Sequence, residues 1–323
     1  MTHDEANSSP TTGLGRMVPR RKRHLRRRLR AALITLLALA LAAWAVAPAI
    51  RAVTLVGNWH ARSAPDAPAA DLPVQEVHFA ATDGVRLAGW LAVASPDAPT
   101  IILVHGFKGS RAAMLPWARF LFGAGYNVLL YDSRGCGESA GWGIGLGATE
   151  SRDVIGAVRY LAARSDLHVK RFGTLGVSLG AGEVLLAAGR EPSLVAVVAD
   201  SAWTDEHAQI DRMDSLPLGP LAVPALPYEP ALVDALIGAH LADARPLDDI
   251  SHIAPRAVLL IASADDANTT TPLAGTRELY AAAGQPKDVW IAPSGGHAGA
   301  LFAHPAEYQA RVLAFFGQYL GAR

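Results

Sequence analysis

Five residues, Gly176-Val177-Ser178-Leu179-Gly180, place a serine between two glycines where an apolar run gives way to a helical pattern. A serine hydroxyl is a weak nucleophile near neutral pH and needs a base within hydrogen-bond reach. On a tight strand-to-helix turn the hydroxyl is exposed, the glycines let strand and helix approach without Cβ clashes, and the helix start aims its N–H groups at the reacting centre. The pattern predicts Ser178 as a nucleophile. Of eleven histidines, His297 is best placed to serve as its base, in Ser294-Gly295-Gly296-His297 between the last strand and the final helix; His304, before Pro305, reads as a cap of that helix. The base needs an acid to hold its tautomer. Asp265 and Asp266 stand side by side, adjacent residues cannot both face one imidazole, and Asp266 is taken, with Asp265 the alternative. Attack on an acyl carbon makes an oxyanion that requires donors set in place beforehand. The Phe107 N–H of His105-Gly106-Phe107-Lys108-Gly109 and the Leu179 N–H are the expected pair. The His105 side chain reads as a loop-fixing group, and Lys108 as facing either a substrate carboxylate or water. The single cysteine, Cys136, lies in Arg134-Gly135-Cys136-Gly137 and reads as a small turn residue. No Cys/His or carboxylate cluster has metal-ligand spacing, so neither metal nor cofactor is expected.

These groups need a scaffold that brings distant loops together. Val74–Ala80, Leu87–Ala94, Thr100–His105, Asn127–Tyr131, Arg171–Val177, Val195–Asp200, Ala257–Ser263 and Asp288–Ala292 read as eight strands. Helical patterns fall at Ala112–Gly123, Glu150–Arg164, Leu179–Gly189, Thr276–Ala283 and Pro305–Leu320. The first two strands are joined by Thr82-Asp83-Gly84 and should pair antiparallel. The central ones, such as Ile101-Ile102-Leu103-Val104, are apolar on both faces, which marks a parallel sheet covered by helices on both sides. The fold class is therefore α/β, with a mostly parallel eight-stranded sheet. From Trp203 to Arg256 seven prolines and no convincing strand interrupt the alternation, and a connection this long suits a cap (203–256) inserted after the sixth strand.

The net charge is zero, yet nine of the 29 basic residues lie in the first thirty positions. The rest is acidic, which gives no general attraction for nucleic acid. A basic tail (1–30) is followed by Ala31–Ile50, 20 uncharged residues long enough to span a bilayer as a helix. The cations before it place the amino terminus in the cytoplasm and the following body outside. Ala45-Val46-Ala47 and Ala43-Trp44-Ala45 leave open a cleaved signal and a secreted body. Residues 51–73, above all Trp59 to Pro73, rich in Ala, Pro and Asp, read as a linker to a catalytic domain over 74–323.

His105-Gly106-Phe107, Tyr131-Asp132-Ser133-Arg134-Gly135-Cys136-Gly137-Glu138-Ser139, the elbow at Ser178, Asp265-Asp266 and Gly296-His297 together resemble the α/β-hydrolase superfamily from about Val74 to the carboxyl terminus. Within it the chain looks like the serine aminopeptidase-like and prolyl-oligopeptidase-like branch, many members of which carry one amino-terminal membrane span. It departs from that pattern in having Ala262-Ser263 where His-Gly commonly opens the acid loop, and in a longer stretch from Asp266 to Pro272. The resemblance implies that Asp132 is a structural turn residue. The expected activity is cleavage of an ester or amide through an acyl-enzyme. The apolar, Pro-rich cap favours a small-molecule or lipid-like acyl substrate. Peptidase or acyltransferase chemistry on the same residues is an alternative, as is a membrane-anchored scaffold without catalysis, whose usual mark, a missing nucleophile or base, is not found.

Overall fold

The computed structural model describes residues 20–58, 72–168, 170–205, 215–218 and 221–321. Most of the expected basic tail, the linker residues 59–71 and part of the expected cap lie outside them. Eight strands form one sheet: β1 (Val74–Ala80), β2 (Arg86–Ala92), β3 (Thr100–Val104), β4 (Asn127–Tyr131), β5 (Phe172–Val177), β6 (Leu194–Asp200), β9 (Ala257–Ser263) and β10 (Lys287–Ala292), in the order β1-β2-β4-β3-β5-β6-β9-β10. β2 runs antiparallel to both β1 and β4, and every other pairing is parallel. Gly84, at a φ of 87°, closes the β1–β2 turn in the left-handed region that glycine adopts at low cost.

Every residue of β3, β4 and β5 is buried, as their uninterrupted apolar runs require of strands covered on both faces. One face carries α3 (Ser151–Ala163) and α4 (Leu179–Arg190), which cover Ile102, Val104, Val197 and Leu260. The other carries α2 (Leu115–Gly123) and α6 (Pro305–Phe316), whose Trp117, Leu121, Tyr308 and Phe316 cover Ile101, Leu103, Val198 and Ile261.

The segment between β6 and β9 departs from the sequence reading. It contains an antiparallel hairpin, β7 (Ser215–Leu218) and β8 (Leu221–Pro224), where no strand is expected. Proline is tolerated here because both strands of a two-stranded ribbon are edges. Helix α5 (Glu229–Ile237) follows. From about Pro246 the chain is no longer a surface insertion, since Ile250 and Ile253 are fully buried in the core beside α4.

Helix α1 (Arg20–Val56) includes an 18-residue window of mean hydropathy 2.3. By length and composition it can cross a bilayer. The chain divides into two compact units at Ala47/Pro48. Residues 51–56, expected as linker, are helical. Ala52 and Val56 are buried in an apolar cluster with Ile144, Leu179, Trp203 and Val233, which holds this last stretch in order.

Candidate active site

The residues singled out by sequence sit on loops at the carboxyl ends of β3, β5, β9 and β10, the edge where crevices form in parallel sheets. Ser178 joins β5 to α4 with φ 57° and ψ −118°, a conformation that costs a non-glycine residue about 1–3 kcal/mol and persists only where its surroundings enforce it. The enforcement is visible on both sides. A Cβ on Gly176 would lie 2.1 Å from the Gly180 carbonyl oxygen, and one on Gly180 would lie 2.5 Å from that of His105. The Ser178 N–H donates to the Asp200 carbonyl at 2.8 Å.

The structure brings together Ser178, His297 and Asp266, residues from three separate loops. Ser178 Oγ lies 2.8 Å from His297 Nε2, and His297 Nδ1 lies 3.0 Å from Asp266 Oδ2. With Asp266 accepting the Nδ1 proton, Nε2 carries the lone pair and faces the serine hydroxyl. The Asp266 side chain is 1% exposed and that of His297 28%, so the acid is shielded while the imidazole stays open to a ligand. Asp266 Oδ1 accepts the Asn268 N–H at 2.8 Å, which satisfies its second oxygen. Asp265 points elsewhere: its exposed carboxylate accepts the Gly296 N–H at 2.8 Å, a bond that lowers its pKa. Each aspartate therefore holds one part of the Gly296-His297 corner. His304 does not cap the final helix with its side chain; its Nε2 pairs with Ser294 Oγ at 3.1 Å.

Sequence reasoning missed five side chains around His297 and its loop. Thr271 Oγ1 is a second partner of Nδ1 at 3.0 Å. Behind the histidine loop, Trp117 Nε1 donates to Tyr308 Oη, and Tyr308 Oη donates to Asp200 Oδ2, each at 2.9 Å. Ser201 Oγ donates to Asp200 Oδ1 at 3.0 Å and accepts the Ala298 N–H at 3.2 Å. This chain of bonds ties the histidine loop to the end of β6. Burial raises the Asp200 carboxyl to about 6, against the Tyr308 and Ser201 hydrogen bonds, which lower it. In the sequence only the polar pair Asp200-Ser201 at a strand end hinted at it.

At the end of β3, His105 is buried and acts on the loop, as expected. The Ser133 N–H donates to Nε2 at 3.0 Å, which leaves the ring proton on Nδ1 to donate to the Gly106 carbonyl at 2.8 Å. The Gly109 N–H also donates to that carbonyl, at 3.1 Å. The Gly106–Phe107 peptide is planar and trans, so drawing its carbonyl toward His105 turns the Phe107 N–H to the opposite side. That N–H has no acceptor among the described residues. The Leu179 N–H is the first of α4 and by position has none within the helix. Burial pushes the His105 pKa down, which keeps the ring neutral. Lys108 is half-buried; its Nζ donates to the Thr54 carbonyl at 2.6 Å in an exposed contact and lies 5.1 Å from the centre of the Phe107 ring.

Asp132 organises the following turn: its carboxylate accepts the Arg111 N–H at 2.7 Å and the Glu138 N–H at 3.0 Å. Cys136 is buried, with its thiol pushed up to about 12 by burial and nearby carboxylates, which fits an inert turn residue.

The sequence profile of the X-Pro dipeptidyl-peptidase (S15) family matches residues 61–225. The chain is 27% identical over 266 residues to the uncharacterised protein YfhR of Salmonella typhi, covering 77% of this chain and 83% of that protein. It is 31% identical over 218 residues to an uncharacterised protein of Mycobacterium tuberculosis, covering 67% and 69%. Among solved structures it is similar to an esterase of Pyrococcus furiosus (TM-score 0.64, 24% identity, 80% of this chain and 99% of that one). It is also similar to the esterase domain of a Rhodothermus marinus protein (TM-score 0.55, 25% identity, 77% and 100%).

Proposed function

Because this chain belongs to the X-Pro dipeptidyl-peptidase (S15) family of the α/β-hydrolase superfamily, we propose that it is a serine hydrolase that cleaves an ester of a small molecule through an acyl-enzyme on Ser178. The observation that carries this reading is the 2.8 Å approach of Ser178 Oγ to His297 Nε2, with Asp266 on the far side of the ring. His297 takes the serine proton as Oγ attacks the carbonyl carbon, and Asp266 stabilises the imidazolium that forms. The Phe107 and Leu179 N–H groups receive the oxyanion. His297 then passes its proton to the leaving oxygen, and a water activated by the same ring hydrolyses the acyl-enzyme.

Similarity to two esterases supports ester over amide substrates. The S15 match favours a second reading, a peptidase that removes X-Pro dipeptides. The helix over residues 20–56 serves as a membrane anchor or a signal sequence; we place the basic flank in the cytoplasm and the catalytic body outside, following the cations that precede the apolar span.

A fluorophosphonate probe tests the chemistry. The full-length protein should label rapidly and Ser178→Ala should not; a well-folded wild type that does not label would turn the reading toward a non-catalytic scaffold. p-Nitrophenyl acetate, butyrate and octanoate should be hydrolysed faster than Gly-Pro p-nitroanilide, and the reverse order favours the peptidase.

A further inference from the structure

Lys108 follows the loop residue whose N–H the proposed mechanism uses, and its side chain reaches a segment far away in sequence. Its Nζ donates to the carbonyl of Thr54, in the last turn of α1. A helix ends with carbonyls that have no partner inside it and carry partial negative charge, so a cation there is favoured. Lys108 itself has a φ of 50°, a left-handed conformation in a non-glycine residue that needs enforcement from outside the loop.

The same helix end is fastened on its other sides as well. Arg51 Nε lies 2.7 Å from both oxygens of Glu229, and Arg51 Nη1 donates to the Ser215 carbonyl at 3.2 Å. The Val56 carbonyl accepts the Ile144 N–H at 2.9 Å, and Asn58 Nδ2 donates to the Gly135 carbonyl at 3.1 Å. Ala52 and Val56 pack in one buried cluster with Leu179, the other residue whose N–H the mechanism uses. The helix end is thus a rigid body against which a loop can be set.

We infer that Lys108 is a positioning residue that ties the oxyanion loop to the carboxyl-terminal turn of α1, which makes the end of the N-terminal apolar helix a working part of the active site. His105 holds the Gly106–Phe107 peptide from the sheet side and Lys108 holds the next residue from the helix side, so the Phe107 N–H is fixed between two attachments. The inference rests on Phe107 being an oxyanion donor.

The test uses full-length protein in detergent, with thermal unfolding measured alongside. Lys108→Met should lower kcat for p-nitrophenyl acetate about tenfold, part of the loss expected for deleting one oxyanion donor, with KM changed by less than about twofold. It should also narrow the preference for that ester over its thiono analogue, because a misplaced donor discriminates less against sulfur. Lys108→Arg, which keeps a cation able to reach the Thr54 carbonyl, should retain both properties. Arg51→Met loosens the same helix end from Glu229; it should lower kcat by less, and should add little when combined with Lys108→Met, since coupled residues are not additive. If Lys108→Met does not fold, Lys108→Gln is read in the same way. An unchanged kcat, or a lost activity with the oxo/thiono preference intact, overturns the tie. A wild-type protein that hydrolyses both esters equally overturns the Phe107 assignment instead, and the two failures are told apart.

Discussion

Two polar groupings lie within this fold, and they differ in what surrounds them. In the line Ser178–His297–Asp266 each member has a directed partner, the acid is covered and the imidazole is partly open. Beneath the Arg134 turn, Asp153, Glu150 and Glu183 are all buried, with Arg134 bonded to Asp153 and Asp83, Glu150 accepting the Gly145 and Gly147 N–H groups, and Glu183 Oε2 without a partner among the described residues. Burial lifts Asp153 to about 7 and Glu183 well above the usual carboxylate range. Perturbed titration alone would single out the second grouping, yet its carboxylates are fully buried and none of them is bonded to a histidine among the described residues. Exposure and hydrogen-bond direction, rather than perturbed titration, tell the two groupings apart.

The largest effects should fall on the first grouping. Asp266→Asn keeps the size of the side chain but lets the imidazole take the wrong tautomer, and kcat should fall on the order of 10³–10⁴-fold, as expected for the acid of such a triad. Steady-state hydrolysis of p-nitrophenyl acetate measures it. Asp265→Asn keeps an oxygen that can accept the Gly296 N–H and removes only the charge of an exposed carboxylate, so it should cost no more than about threefold, in line with single exposed hydrogen bonds. If Asp265→Asn abolishes turnover while Asp266→Asn is spared, the two aspartates exchange roles and the shielded-acid side of the comparison fails.

Where local chemistry decides the outcome, the sequence is a close guide. β1, β4 and β9 begin and end at the residues their apolar runs predict, and the Gly-flanked serine falls on the expected turn because only glycine fits at 176 and 180. What the sequence hides depends on contacts made after folding. The bonds from Tyr308 to Asp200 and from Ala298 to Ser201 span 108 and 97 positions, and nothing in Thr269-Thr270-Thr271 marks the third threonine as the one beside His297. The β7–β8 hairpin was obscured by prolines, which usually argue against a strand. The length of α1 was underestimated because polarity rises after Ile50, whereas the buried contacts of Ala52 and Val56 keep the helix going.

The smallest effect sharpens the other side of the comparison, and its sign follows from proton binding. Glu183 in the folded protein has its pKa raised above that of the unfolded chain, chiefly by burial and then by the neighbouring Glu150 and Asp153. The folded state therefore binds the proton more tightly, and unfolding stability falls as pH rises. The stabilisation is complete below the unfolded carboxylate value of about 4.3 and is lost as pH climbs toward the folded value. Asp153 adds the same trend between its unfolded value and about 7. Glu183→Gln removes one titrating group while keeping a neutral polar side chain, and its amide can donate to the adjacent carboxylates. At about pH 4, below the unfolded value, the glutamate is protonated in both states and the variant should match the wild type. At pH 8 its Tm should be higher by about 2–4 °C, the shift expected from roughly 1 kcal/mol in a domain of this size, with ester hydrolysis unchanged. Thermal unfolding across that range decides the matter: a Tm lowered equally at both values would mean that Glu183 is ionised and paired, and that the cluster beneath Arg134 is not a store of protonated acid.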